Sequence, residues 1–143
     1  MTWSSFLFLA VHFLVPHIHD GDTFTDASGK RWRLWGVDAL EARQWCNDRA
    51  CGENARDALV ELIGGREVTC ERRGKSYDRT VGQCFVEGKD LGREMVRAGW
   101  AFDEADYSNG LYSYDETLAR DQRRGMWGMS GVIRPSEWRK ANP

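Results

Sequence analysis

Two runs of alternating residues constrain this chain more than any other feature. Cys70 in "REVTCE" (66–71) shares a strand face with Val68, and Cys84 in "RTVGQCFV" (79–86) shares one with Val86. Side chains along a strand alternate sides, so both thiols point toward the apolar side. A hairpin joining the runs can therefore bring them together. Closing a loop of about fifteen residues in this way is worth roughly 3 kcal/mol by restricting the unfolded chain. Cys46 and Cys51, in "WCNDRAC", are close enough in sequence to staple one turn. An even count with two sterically sensible pairings favours an oxidising compartment, secreted or periplasmic. The rival readings are buried free thiols and a zinc site built on Cys46, Cys51 and His17 or His19, which lacks a second close-spaced ligand pair.

Around these runs the hydrophobic period switches. "KRWRLWGV" (30–37) reads as a further strand, with Trp32 and Trp35 on opposite faces so that at most one enters the core. Ala55, Ala58, Leu59, Leu62 and Ile63 fall at helical spacing and end at Gly64 and Gly65, an amphipathic helix with a glycine stop. "DLGREMVRAGW" predicts a short second helix packed by Leu91, Met95 and Val96. A third starts at "SYDE", where Ser113 and Glu116 have capping-box spacing, and runs to Gly125. Trp100 and Trp127 are expected to pack near it. At 143 residues with no repeat or linker, the chain reads as one α+β domain on a small antiparallel barrel.

The apolar run "FLFLAVHFLV" (6–15) is too short to span a bilayer. It reads as a first strand, as an export signal or as a membrane-surface anchor; no Lys or Arg precedes it and no small-residue cleavage site follows. Residues 1–10 are accordingly set apart as a remnant export signal or N-terminal extension, with no stable membrane insertion.

Net charge of −2 gives no global field for a polyanion, so local arginines or a bound cation must supply any attraction. The carboxylates in "HDGDTF" (19–24) and "RLWGVDALE" (33–41) bear on this. Pairing residues 22–26 with 30–37 through "DASGK" brings Asp22 near Asp38, and clustered hard oxygens suit Ca²⁺ or Mg²⁺. Asp20 reads as the residue that shapes the turn. An EF-hand reading fails, because the twelfth position of "DGDTFTDASGKR" is Arg31.

The order "DGDT", "RLWGVDALE", "YDRTVG", "MVRAGWA", "ARDQRRGMWG" resembles the staphylococcal nuclease family from about Val15 to Trp127. The resemblance implies a five-stranded OB-fold β-barrel with three helices over residues 11–143, and a Ca²⁺-dependent nuclease acting on DNA or RNA. It implies Asp22 and Asp38 as metal carboxylates and Ala39 as a carbonyl donor to calcium. It further implies Glu41 as the residue that positions or deprotonates the attacking water, with Arg33 and Arg79 flanking the phosphate. Tyr77 and Tyr107 match tyrosines beside the nucleotide. Ala39 stands where threonine is common and Leu40 replaces the usual proline, which frees the loop that places Glu41. Ser76 and Ala105 likewise depart from the family's lysine and tyrosine. The alternative is a catalytically weak or inactive domain of this fold that binds nucleic acid or protein. A monomer is expected. "ERRGKSYDR" reads as a basic hairpin tip carrying Arg72, Arg73 and Lys75, and Asp103–Asp106 as an acidic stretch near the pocket. His12, His17 and His19 are assigned no catalytic role.

Overall fold

The computed structural model describes residues 10–143, so all of the expected export segment but Ala10, and residues 6–9 of the apolar run, lie outside the described residues. The rest of that run begins with a strand, β1 (Ala10–Phe13). It is followed by β2 (His17–Ile18), β3 (Thr23–Thr25), β4 (Arg31–Leu34) and β5 (Val37–Ala39). After helix α1 (Cys51–Ile63) come β6 (Val68–Ser76), β7 (Arg79–Val86) and β8 (Lys89–Asp90). Helix α2 (Leu91–Arg97), β9 (Ala101–Asp103), α3 (Ala105–Ser108), α4 (Ser113–Asp121), a 3₁₀ turn (Gly125–Gly128) and α5 (Pro135–Ala141) complete the chain.

Among the described residues the strands form two sheets, one running β1-β6-β7-β4-β3-β2 with β8 on β7, the other β5-β9. The mixed α+β class matches expectation; the count does not, since the described residues hold five helices in place of three and more than five strands. Gly36 explains part of the difference. Its φ of +77° turns the expected 30–37 strand, so that β4 enters the large sheet and β5 the small one. The two added helices are the short α3 and the terminal α5, which starts on Pro135 at a position where a missing N–H costs nothing.

Helix α1 ends as expected, with Gly64 in the left-handed region and its N–H returning to the Val60 carbonyl. Asp90 caps α2 by accepting from the amides of Gly92 and Arg93. The capping box expected at α4 does not form. Glu116 instead accepts from the Asp103 amide at 2.8 Å and pairs with Arg120, so its carboxylate ties α4 to β9. Arg72, Arg73 and Lys75 also differ from expectation, lying within β6 rather than at a loop tip. A register shift between Arg72 and Gly74 bulges Arg73, whose guanidinium lies 4.8 Å from the Trp35 ring.

The core fills the space between the large sheet and helices α1 and α2, with Phe24, Trp32, Leu59 and Met95 fully buried. Trp32 is the inward tryptophan of its strand; Trp35 is half-buried. Gly82 sits against Trp32, because a Cβ there would come 2.7 Å from its ring. A second cluster joins Leu40, Cys46, Cys51, Phe102 and Met126, with Trp100 and Trp127 partly buried against it.

Cys70 faces Cys84 across the β6–β7 ladder and is bonded to it, and Cys46 is bonded to Cys51. No free cysteine stands among the described residues, which removes the zinc and free-thiol readings. Replacing Cys70 and Cys84 together by alanine is expected to cost about 3 kcal/mol in a urea titration, with the far-UV spectrum unchanged.

Candidate active site

The turn that carries Asp20, Gly21 and Asp22 is built by local bonding. Asp20 accepts from the Asp22 amide at 2.9 Å, as an aspartate that shapes a turn should. Gly21 is required for space: a Cβ would come 2.7 Å from that of Ala39 and 3.2 Å from Ala55 and Met95. The turn is therefore pressed between β5 and the helices, and Asp22 is fixed by what Gly21 lacks.

From this position Asp22 reaches both sheets. Its Oδ2 accepts from the Ala39 amide at 2.8 Å and lies 2.6 Å from Arg33 Nη1, while Oδ1 accepts from the Thr23 hydroxyl. Arg33 faces Thr23 across the β3–β4 register. Its other nitrogen lies 3.3 Å from Asp38 Oδ1 on β5, and Nη1 also donates to the Val37 carbonyl. One guanidinium thus joins two carboxylates that the sequence separates by two strands and their turns. Asp22 and Asp38 are nearly inaccessible, at 4% and 5% exposure.

The charges here do not balance. Burial, and then the charge of Asp22, push Asp38 up to about 7 despite Arg33. Burial and Asp22 likewise push Asp20 up to about 8. Burial opposes the charge on Arg33, but Asp22 and Asp38 overcome it and raise its pKa. Three carboxyls around one guanidinium call for more positive charge, and hard oxygen donors suit a divalent cation that keeps several of its waters. Asp22 and Asp38 can supply side-chain oxygens. Among the described residues no three acidic, histidine or cysteine side chains are arranged together as a metal cluster. Ala39 is buried and contributes its amide to Asp22.

Asp20, Asp22, Arg33, Asp38, Glu41 and Arg79 all line one cleft of about 810 Å³. Arg79, at the start of β7, is lightly held, 3.5 Å from the Thr23 hydroxyl and 3.4 Å from that of Ser76. Tyr77 and Tyr107 stand on the rim, 93% and 70% exposed. Lys75 also lines the cleft, as do Glu104 and Asp106 of the acidic stretch, whereas Asp103 is buried.

Glu41 is placed by a loop braced from several directions. The buried Gln44 accepts from the Glu41 amide at 3.2 Å and donates to the Ile133 carbonyl at 2.9 Å. The Cys46–Cys51 bond closes the loop, and Gly52 lies so close that a Cβ would overlap the Glu41 carbonyl. This bracing restrains the loop in place of the proline that Leu40 replaces. The Glu41 carboxylate pairs with Arg139 of α5, and Arg134 and Ser136 line the same cleft. Sequence reasoning missed these three. The signal was present in "IRPSEWRK", where a proline opens a helix with Arg134 just before it and Arg139 within it.

For protonated buried acids the linkage sign is clear. Asp20 and Asp38 hold protons more tightly folded than unfolded, so stability falls as pH rises from the ordinary carboxylate range toward about 7 to 8. In chelator, the melting temperature should drop across that window, by the equivalent of a few kcal/mol on the order-of-magnitude scale. Saturating calcium should shrink the drop. Gly21→Ala should cost about 1–3 kcal/mol and weaken that calcium response, measured in the same melts.

The sequence profile described as "Staphylococcal nuclease homologue" matches residues 31–129. The chain is 36% identical over 116 residues to the succinoglycan biosynthesis protein ExoI of Rhizobium meliloti (strain 1021), covering 76% of this chain and 60% of that protein. It is 30% identical over 132 residues to a Haemophilus influenzae protein named "Uncharacterized endonuclease", covering 88% of this chain and 71% of the other. It is also 32% identical over 116 residues to staphylococcal-like nuclease CAN1 of Arabidopsis thaliana, 77% of this chain but 33% of the plant protein.

Proposed function

The chain belongs to the staphylococcal nuclease family, and we propose that it is a Ca²⁺-dependent nuclease that hydrolyses phosphodiester bonds of DNA or RNA by water attack. The observation that carries this reading is the convergence of Asp22, Arg33, Asp38, Glu41 and Arg79 on one cleft wide enough for a nucleotide. The names of the relatives, endonuclease and staphylococcal-like nuclease, support it. The OB-fold barrel that the family implies belongs to the same proposal.

Asp22 and Asp38 would hold the ion, with the Ala39 carbonyl as a further oxygen donor. When bound, it supplies Lewis-acid polarisation of a phosphoryl oxygen and neutralises developing charge. Glu41 orients the water and takes its proton, a role that requires a carboxylate within hydrogen-bond reach of the nucleophile. Arg79, which has no carboxylate partner among the described residues, turns its planar fork to two phosphoryl oxygens as negative charge builds there. Arg33 flanks the phosphate as fixed positive charge, its fork staying on Asp22 and Asp38 and keeping the two carboxylates in register. Tyr77 and Tyr107 offer ring faces to neighbouring bases. A secreted or periplasmic setting belongs to the same reading and is supported by the two disulfides. No helix among the described residues is long and apolar enough to cross a membrane.

The test is cleavage of single-stranded DNA, duplex DNA and RNA in millimolar calcium or in chelator. Calcium-dependent cutting is expected, with Glu41→Gln and Arg79→Ala each lowering kcat by about 10² to 10⁴. Folded protein that cuts nothing in any divalent ion points to the binding-domain alternative. Unimpaired cutting by both variants overturns the roles assigned to Glu41 and Arg79.

A further inference from the structure

Helix α5 lies beyond residues 31–129, the part of the chain that matches the family. It nonetheless supplies a wall of the cleft. Gln44 fastens the Ile133 carbonyl just before it, and the Arg43 guanidinium lies 5.9 Å from the Trp138 ring on the helix itself. These contacts point Arg139 at Glu41.

The pairing invites two explanations, and the charge of the cleft separates them. Its walls carry Asp20, Asp22, Asp38, Glu41, Glu104 and Asp106, against the cations Arg33, Lys75, Arg79, Arg134 and Arg139. Arg33 is committed to two buried carboxylates. A nucleic-acid strand therefore meets few cations not held by buried carboxylates, and the C-terminal segment carries two of these, Arg134 and Arg139. Arg139 is half-exposed, at 51%, and its partner is 29% exposed, so this ion pair is solvent-screened and weak enough for a phosphate to displace. A guanidinium also suits phosphate as well as carboxylate, since both offer two oxygens to its fork.

We propose that Arg139 is a phosphate-contacting residue for the part of a nucleic-acid strand outside the scissile bond, parked on Glu41 until substrate arrives. Strand binding moves Arg139 from the Glu41 carboxylate to a flanking phosphate, and in doing so uncovers Glu41 for water. This rests on the nuclease reading for the fate of Glu41, but the phosphate contact itself does not.

The test uses the full chain in chelator, with a fluorescein-labelled single-stranded oligonucleotide and anisotropy read across a salt series. Arg139→Gln should weaken binding about tenfold, as loss of one charge-assisted bond predicts. Its log K against log salt slope should shrink by about 0.7, the share of one phosphate contact on a single strand. Arg139→Lys should keep the slope. Glu41→Gln should tighten binding, because it releases Arg139 and removes a repelling charge. Turnover in calcium is then compared on the oligonucleotide and on bis(p-nitrophenyl) phosphate, which has no flanking phosphate. The Arg139→Gln loss should be several-fold larger on the oligonucleotide.

Wild-type affinity and slope in Arg139→Gln would overturn the proposal, as would unchanged or weaker binding by Glu41→Gln. Equal turnover losses on both substrates would also overturn it and make Arg139 a positioning residue for Glu41 alone. If the wild type cuts neither substrate, the nuclease reading fails, and the binding comparison still decides whether Arg139 meets phosphate.

Discussion

Two buried carboxylates share one guanidinium, and the site depends on that arrangement. Asp22 sits in a turn before β3, Arg33 in β4 and Asp38 in β5, so the triad locks the large sheet to the small one. A buried ion pair is weak evidence for stability, because desolvation offsets much of its attraction. Its geometric effect is stronger. Removing one member leaves a buried charge without a partner, so alternative packings of these segments are disfavoured. The Ala39 amide adds a neutral bond to the same carboxylate and ties the approach of β5 to the turn that Gly21 makes narrow enough.

The excess of negative charge in this triad links architecture to chemistry. A site optimised only for stability would pair its acids with equal numbers of cations or replace them by apolar residues. Here burial, and then the charge of Asp22, push Asp20 and Asp38 toward their neutral forms, at a cost that a bound cation would relieve. The same logic reconciles a protein of net charge −2 with the polyanionic substrate proposed for it. What matters is the field inside the cleft, and that can be set by one ion and a few guanidiniums.

Glu41 illustrates how a local departure can be absorbed. With leucine where the family resemblance leads one to expect proline, the loop lacks a fixed φ, but it has the buried amide of Gln44, the Cys46–Cys51 staple and the close contact at Gly52. Three long-range or covalent restraints replace one backbone restraint. The C-terminal helix, anchored through Ile133, then becomes part of the cleft rather than a tail.

The sequence by itself determined the elements whose signals are local. Helix α1 and its glycine stop, the β6–β7 hairpin with its inward cysteines, and the Asp20 turn were all legible from spacing, because periodicity and turn chemistry act over a few residues. The order of motifs also singled out Asp22, Arg33, Asp38, Glu41 and Arg79, which the fold brings to one cleft. What only the tertiary structure decided were the partners. Nothing local says that Glu116 will bond β9 instead of capping its own helix, that β4 and β5 will part at Gly36, or that Arg139 will lie on Glu41 from 98 residues away. Each of these depends on which surfaces meet when the core closes, and a side chain takes the strongest partner that packing brings within reach.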